Sequence, residues 1–517
     1  MCRLYLILTF LLIGLCCLIS IAPVESKHSA ERQARRQAAR DAARARAEAK
    51  IHYETRWFTQ LTDHFTWANQ DEWQQRYLVN KDFWCGKNCP ILFYCGNEGD
   101  IEVFAKNTGW MWENAESLHA MLVFAEHRFY GKSMPYPIDP TKVSPNLTST
   151  LGYLSSEQAL ADYARLIYEL KNNIYDAKYS PVIAIGGSYG GMLAAWMRMK
   201  YPNTVAGALA GSAPILQFPG EYDCSLFNKI VTKDFENYSI NCSQSISNSW
   251  GVIREFSNNP DNLAKLGSVF NTCQKMEHDD VELLLQMLNG IWVNMAMTDY
   301  ANEANFLSKM PAYPIKHACA ILNSNPIYTE PEELISKIAR ASEVYTNYTG
   351  KTPCLDIKGI VFDPMDVLWD FQSCTEMVMP ICSDGVNDMF DPQPFNLTAF
   401  VGDCKARWGV KTQVNKIRTL YGDRNMASAS NIIFSSCSRD PWSAGCPQTS
   451  VEANSIHAIK IPGVCHHEDL RASGPNDSTE IKQARQKELN IVSDWVQKHY
   501  ENAKSYLGNE TLTWLKH

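Results

Sequence analysis

The chain has 517 residues, enough to bury one large core or two. Hydrophobic residues make up 45% and aromatic residues 11%, which excludes a disordered chain. A formal charge of −8 excludes nucleic acid as the main partner.

Residues 1–22 read as a secretory signal peptide. Arg3 supplies the positive end, Leu4 to Ile21 the apolar run, and Ala22 and Ser26 small residues near a cleavage point. The run approaches spanning length, so an anchor is the competing reading. No later stretch matches it, and no stable membrane anchor is expected once the signal is cleaved. In residues 23–50, Arg32, Arg35, Arg36, Arg40, Arg44 and Arg46 alternate with alanines, the texture of a basic leader or pro-segment.

Residues 51–219 alternate strand and helix, the pattern of a parallel sheet with helices on its faces. Pro90 to Cys95 is a short apolar strand ending in Gly96-Asn97-Glu98-Gly99, and Ala120 to Ala125 is another, ending in Glu126-His127-Arg128. His127 is read as a structural hydrogen-bonder. Ser155 and Gln158 form a capping box ahead of a helix with Leu160, Tyr163, Ile167 and Leu170 on one face.

Val182 to Ile185 then runs into Gly186-Gly187-Ser188-Tyr189-Gly190-Gly191, followed by the helix-like Met192 to Lys200. A serine on a sharp strand-to-helix turn is a nucleophile elbow, and its neighbours must be small because strand and helix approach closely. Ser188 is the candidate nucleophile. The Tyr189 N–H, with one from the loop at Gly96 and Asn97, would bind an oxyanion. The fold class expected is α/β, an α/β-hydrolase fold with a helical cap insertion.

Val205 to Leu209 reads as a further strand. Residues 220–345 change texture: Val281 to Met297 and Pro331 to Tyr345 read as helices with little strand signal between them, the proposed cap. Residues 346–517 would complete the hydrolase domain. A late strand, Asn431 to Ser435, leads to Asp440-Pro441-Trp442-Ser443. A strand-like Val451 to Ile461 leads to His466-His467, and Ser478 to Tyr500 reads as a closing helix. The order Ser, Asp, His is the order of an α/β-hydrolase triad, and a histidine near its ordinary pKa suits a proton shuttle. Asp-Pro alone is an ordinary turn signal; the joint order of the three residues gives it weight.

Three of the 17 cysteines lie in the leader, which leaves 14 for an oxidising compartment. Cys85 and Cys89 are spaced to close a short loop, and no cysteine array has zinc spacing. Sequons at Asn146, Asn237, Asn241, Asn347, Asn396, Asn476 and Asn509 fit a secreted or lysosomal glycoprotein.

These segments together resemble the lysosomal Pro-X carboxypeptidase family of serine peptidases, which includes dipeptidyl peptidase II and the thymus-specific serine protease. The resemblance runs from about residue 55 to about 500. It is carried by Gly96-Asn97-Glu98-Gly99-Asp100, Glu126 to Gly131, Ser156 to Asp162, the Ser188 elbow, Asp440-Pro441-Trp442-Ser443 and His466 to Arg471. Cys374 to Pro380 looks more like the Pro-X carboxypeptidase branch. The resemblance implies a Ser188–Asp440–His466 triad and cleavage after proline in short peptides. It implies a proline pocket at Met192, Met379 and Trp442, and disulfides Cys224–Cys382, Cys242–Cys319, Cys273–Cys354 and Cys374–Cys404. It calls for no cofactor and no metal, and it allows a homodimer.

A carboxypeptidase needs cations for the free carboxylate, for which His467 and Arg471 are the candidates. A dipeptidyl peptidase needs an anion for the free amine, for which Glu376 or Asp384 would serve. The competing classes are a non-catalytic hydrolase-fold binding protein, which would have lost a triad member, and a lipase or esterase. The chain also departs from the family's pattern. Ser436-Cys437-Ser438-Arg439 precedes Asp440 where the family usually has Asn-Gly and a leucine, Cys446 replaces a glycine, and Cys465 adjoins His466. Cys95, Cys437, Cys446 and Cys465 are left without assigned partners, and an extra disulfide is expected among the last three.

Overall fold

The computed structural model describes residues 51–139, 145–220, 222–323, 330–359 and 364–507. The expectations for residues 1–50, and for the side chains of Asn146 and Asn509, lie outside them. From Tyr53 onward the chain is one unit.

Eight strands make its central sheet: β1 (Glu54–Leu61), β2 (Glu72–Asn80), β3 (Ile91–Cys95), β4 (Met121–Ala125), β5 (Val182–Gly187), β6 (Gly207–Gly211), β7 (Ile432–Cys437) and β8 (Ile456–Ile461). Their spatial order is β1-β2-β4-β3-β5-β6-β7-β8. β1 and β2 run antiparallel to their neighbours, and the other six are parallel. β3 to β7 are buried along their whole length, the reason they read as continuous apolar or small-residue runs.

The principal helices are α1 (Ser156–Glu169), α2 (Tyr189–Lys200), α3 (Leu226–Tyr238), α4 (Asp280–Met297), α5 (Pro364–Thr375) and α6 (Thr479–Leu507). α1 and α2 cover one face of the sheet through Leu160, Tyr163, Leu193 and Trp196. α6 covers the other through Ile481, Val492 and Trp495. Strands β3 and β5, with helices on both faces, thus carry their C-terminal ends to one rim, where ligands of such sheets bind. The architecture is an α/β-hydrolase fold.

α3, α4 and the helix Pro331–Thr346 build a separate helical layer with its own apolar core. That core also takes Ile357, Met389 and Phe390, so the layer draws on chain beyond residue 345. Cys242–Cys319 and Cys273–Cys354 staple it internally, and Cys224–Cys382 closes its base. Cys374–Cys404 joins α5 to the helix Leu397–Trp408, and Cys85–Cys89 closes a short loop. The extra disulfide expected near Asp440 does not form. Cys437, Cys446 and Cys465, like Cys95, are buried free thiols, and burial pushes each up out of the ordinary thiol range.

Two local expectations change. Only half of the capping box forms: the Ser155 hydroxyl accepts from the Gln158 N–H at 3.4 Å. The Gln158 side chain instead donates to Asp63 at 2.8 Å and accepts from the His64 N–H at 3.0 Å. Val451 to Ser455 is a short helical turn, and β8 begins at Ile456.

Candidate active site

Ser188 sits where β5 turns into α2, with φ 57° and ψ −128°, a strained conformation for a residue with a side chain. The turn is possible because of its neighbours. A Cβ on Gly186 would lie 2.1 Å from the Gly190 carbonyl oxygen, and one on Gly190 would lie 2.3 Å from Asn97 Oδ1. The Ser188 N–H donates to Gly211 O at 2.9 Å, which ties the elbow to β6. Ser188 is half-buried, whereas the residues on either side are buried.

The loop after β3 packs directly on this elbow. Asn97 Nδ2 donates to Gly187 O at 2.7 Å, and Asn97 Oδ1 accepts from the Tyr94 hydroxyl at 2.9 Å. Gly96 is corrected as an oxyanion donor, because its N–H is spent on Ala125 O at 3.0 Å. Gly99 likewise donates to Asn97 O at 2.9 Å. The N–H of Asn97 and that of Tyr189, in the first turn of α2, remain as candidates. The Tyr189 ring is held by its hydroxyl, which accepts from Gln372 Nε2 at 3.1 Å and meets His127 Nε2 at 3.0 Å. His127 is therefore a structural partner; burial lowers its pKa to about 4 and keeps it neutral.

Asp440 follows β7 and caps a short helical turn, accepting from the Trp442 N–H at 3.0 Å. Both of its oxygens lie 2.9 Å from His466 Nδ1. Asp440 is fully buried and His466 is 1% exposed, so no water competes for this contact. With Nδ1 committed to Asp440, Nε2 is the His466 atom left for a hydroxyl. The backbone of His466 is fixed on both sides: its N–H donates to Met297 O at 3.0 Å, and its carbonyl accepts from the Tyr300 hydroxyl at 3.0 Å.

The flanking candidates divide. His467 does not fit the role of carboxylate grip. Its ring is buried, would lie 2.9 Å from a Cβ on Gly187, and packs edge-on against Phe306 at 5.4 Å. Burial, reinforced by His466 and Arg471, holds it well below the usual histidine range, so it carries no charge. Arg471 is half-buried over the Tyr300 ring at 4.3 Å, and its Nη1 has no hydrogen-bond partner. Glu376 does not fit the role of amine grip. It is fully buried, accepting from the Ser156 N–H at 2.7 Å and the Ser156 hydroxyl at 3.2 Å, with Lys416 Nζ at 3.5 Å. Asp384 is an exposed turn former that accepts from the Val386 and Asn387 amides at 2.9 and 2.7 Å.

Met192 is buried in the core beneath α2, and the half-buried Met379 packs on that same core. Trp442 packs on the helical layer instead, edge-on to Phe227 at 4.9 Å, with its indole N–H buried and unpartnered. Among the sequons, Asn237, Asn396 and Asn476 are exposed and Asn241 and Asn347 half-buried. Asn476 Nδ2, the atom a glycan would take, already donates to Ala301 O at 2.9 Å.

A further candidate for this site lies in the same loop. Glu98, between Asn97 and Gly99, buries Oε2 without a hydrogen-bond partner. Burial raises its pKa, opposed by its own N–H and by the nearby charge of His466. Its signal in the sequence is its place beside Asn97 in the loop after β3. Among the described residues no group of three or more His, Cys, Asp or Glu side chains is placed to hold a metal ion, and no helix is long and apolar enough to cross a membrane.

Comparison with known proteins gives the family. The family model described as serine carboxypeptidase S28 matches residues 60–488. Lysosomal Pro-X carboxypeptidase of Homo sapiens is 44% identical over 453 residues, covering 87% of this chain and 90% of that protein. Prolyl carboxy peptidase like protein 5 of Caenorhabditis elegans is 38% identical over 481 residues, covering 88% and 92%. Among solved structures, an acetylester hydrolase from Corynebacterium glutamicum is 12% identical with a TM-score of 0.36, covering 86% of this chain and 97% of that one. A family match across most of the chain, joined to relatives at this identity over nearly their whole length, makes this chain a serine peptidase of the serine carboxypeptidase S28 family.

Proposed function

We propose that the protein is an exopeptidase that removes the C-terminal residue of short peptides after proline, through Ser188, His466 and Asp440. The observation that carries this reading is the contact of His466 Nδ1 with both oxygens of buried Asp440, alongside the strained elbow of Ser188. Ser188 Oγ attacks the prolyl carbonyl carbon while its proton passes to His466 Nε2. Asp440 holds the imidazolium that forms. The N–H groups of Tyr189 and Asn97 bind the oxyanion; losing one such donor costs about 100- to 1,000-fold in turnover. Collapse breaks the C–N bond, and His466 returns the proton to the departing amine. Water then hydrolyses the Ser188 ester by the same shuttle.

Preference for proline rests on the Pro-X carboxypeptidase relatives and on the half-buried Met379 and Trp442, apolar side chains that suit a compact pyrrolidine ring, whereas Met192 is spent in the core. Of the two cationic candidates, Arg471 is the one that is half-buried rather than buried, and it is the group we assign to the substrate carboxylate. Release of N-terminal dipeptides is disfavoured because Glu376 and Asp384 already spend their oxygens within the fold. A location in the secretory pathway, lysosomal or secreted, is supported by the relatives' lysosomal names and by the signal peptide expected from the sequence. Mass spectrometry of a peptide ending in Pro-X tests the assignment. Loss of the single C-terminal residue is expected; N-terminal dipeptides from an intact C-terminus would overturn it.

A further inference from the structure

Arg439, immediately before Asp440, reaches away from the sheet into the helical layer. Its Nε lies 3.3 Å from Asp234 Oδ1 on α3, and its Nη2 donates to Asp299 Oδ2, two residues beyond α4. The guanidinium lies 5.5 Å from the centroid of the Tyr238 ring, and the Tyr238 hydroxyl donates to the same Asp299 oxygen at 2.8 Å. Asp234 and Asp299 are 3% and 0% exposed at the side chain and Arg439 is 16% exposed, so this is an interior cluster.

The same corner of the helical layer holds the base. Met297 O accepts the His466 N–H at 3.0 Å, Tyr300 donates to His466 O at 3.0 Å, and the Cys465 thiol donates to Asp299 O at 3.5 Å. The Arg439 N–H donates to Val464 O at 3.0 Å, joining the acid loop to the base loop. Acid and base thus hang from one short segment, residues 297–300.

We propose that Arg439 is a positioning residue: it clamps the Asp440 loop to Asp234 and Asp299, making the helical layer a structural part of the triad. A roof that hinged away would have to break this clamp and the two backbone anchors of His466 together. The inference rests on the proposed triad, and Arg439 itself touches neither substrate nor the reacting atoms.

The test compares wild type with R439M, R439K and the charge-neutral D234N/D299N/R439M, which removes the stranded carboxylates in case R439M fails to fold. Two readouts are taken: kcat and KM on a Pro-X peptide, and the rate at which a small fluorophosphonate labels Ser188. The fluorophosphonate needs no peptide pocket, so it reports triad alignment alone. R439M is expected to lose about 10- to 100-fold in both kcat and labelling, since small misplacements of catalytic groups cost this much, with KM nearly unchanged. R439K is expected to recover part of the loss, and the folded triple variant to keep it. Wild-type labelling in folded R439M or in the triple variant, or a loss confined to KM, would overturn the clamp. If wild type releases no C-terminal residue but R439M still slows labelling, the clamp stands and the carboxypeptidase reading falls.

Discussion

Asp440→Asn probes the triad with the smallest change of shape. Asp440 accepts from His466 Nδ1 through both oxygens and from the Trp442 N–H through Oδ1. An asparagine keeps one acceptor oxygen. If that oxygen stays on the Trp442 N–H, the side-chain NH2 faces His466 Nδ1. The ring must then accept at Nδ1 and carry its proton on Nε2, the atom that should receive the serine proton. The base is lost while the packing survives. Such a tautomer switch lowers kcat about 10,000-fold in the Ser-His-Asp template, equivalent to about 5 kcal/mol in the barrier. The assay is steady-state kinetics on a Pro-X peptide, with fluorophosphonate labelling as a check on Ser188. KM should change little, because Asp440 is fully buried and behind the ring. A folded D440N enzyme that retains more than about a tenth of wild-type kcat would refute the assignment of Asp440.

Gly190→Ala drives a methyl to 2.3 Å from Asn97 Oδ1 and 2.6 Å from Cys95 O; a loss of about 1–3 kcal/mol in urea unfolding and of Ser188 labelling is expected. Asp234 has its pKa raised to about 8, chiefly by burial, with Arg439 opposing and Asp299 and Asp440 adding to the rise. The folded state therefore keeps a proton that the unfolded state gives up. Stability is full below the ordinary aspartate range and falls by up to about 1.4 kcal/mol per pH unit towards pH 8. Urea unfolding across pH 4 to 8 should show this decline in wild type and a shallower one in D234N; parallel profiles would exclude it. A thiol reagent should find no reactive cysteine in the native protein and, once the leader is removed, the four buried thiols Cys95, Cys437, Cys446 and Cys465 after denaturation without reductant.

The elements that form the rim were legible because their burial is uniform. β3, β4 and β5 are short, fully buried strands, β3 and β5 run into small-residue turns, and a run such as Ile-Leu-Phe-Tyr-Cys has few other homes. β1 and β2 were not legible because polar residues interrupt their inward positions, beside the buried Trp73, Tyr77, Leu78 and Val79. Gln60, Gln75 and Arg76 are buried, paired through Gln60 Nε2 to Gln75 Oε1 at 2.7 Å and Arg76 Nη2 to Glu126 Oε1 at 2.5 Å. A hydrogen-bonded interior erases the alternation that reveals a strand. Ser188, Asp440 and His466 stand out as candidates in the sequence because their joint order and spacing restrict them. His467, Glu376 and Gly96 misled because their roles depend on what surrounds them. An imidazole packed on Phe306, a carboxylate claimed by Ser156 and an amide claimed by Ala125 have no marker in the sequence. Arg439 stands out in the sequence as a departure from the family pattern, but its partners Asp234 and Asp299 lie 205 and 140 residues away, beyond any local signal.

The most direct measurement is covalent. The protein is reacted with a fluorophosphonate, digested and mapped by mass spectrometry, alongside H466A. The account predicts one adduct, on Ser188, formed in wild type and nearly absent in folded H466A. An adduct on another residue, or equal labelling of Ser188 without His466, would contradict it.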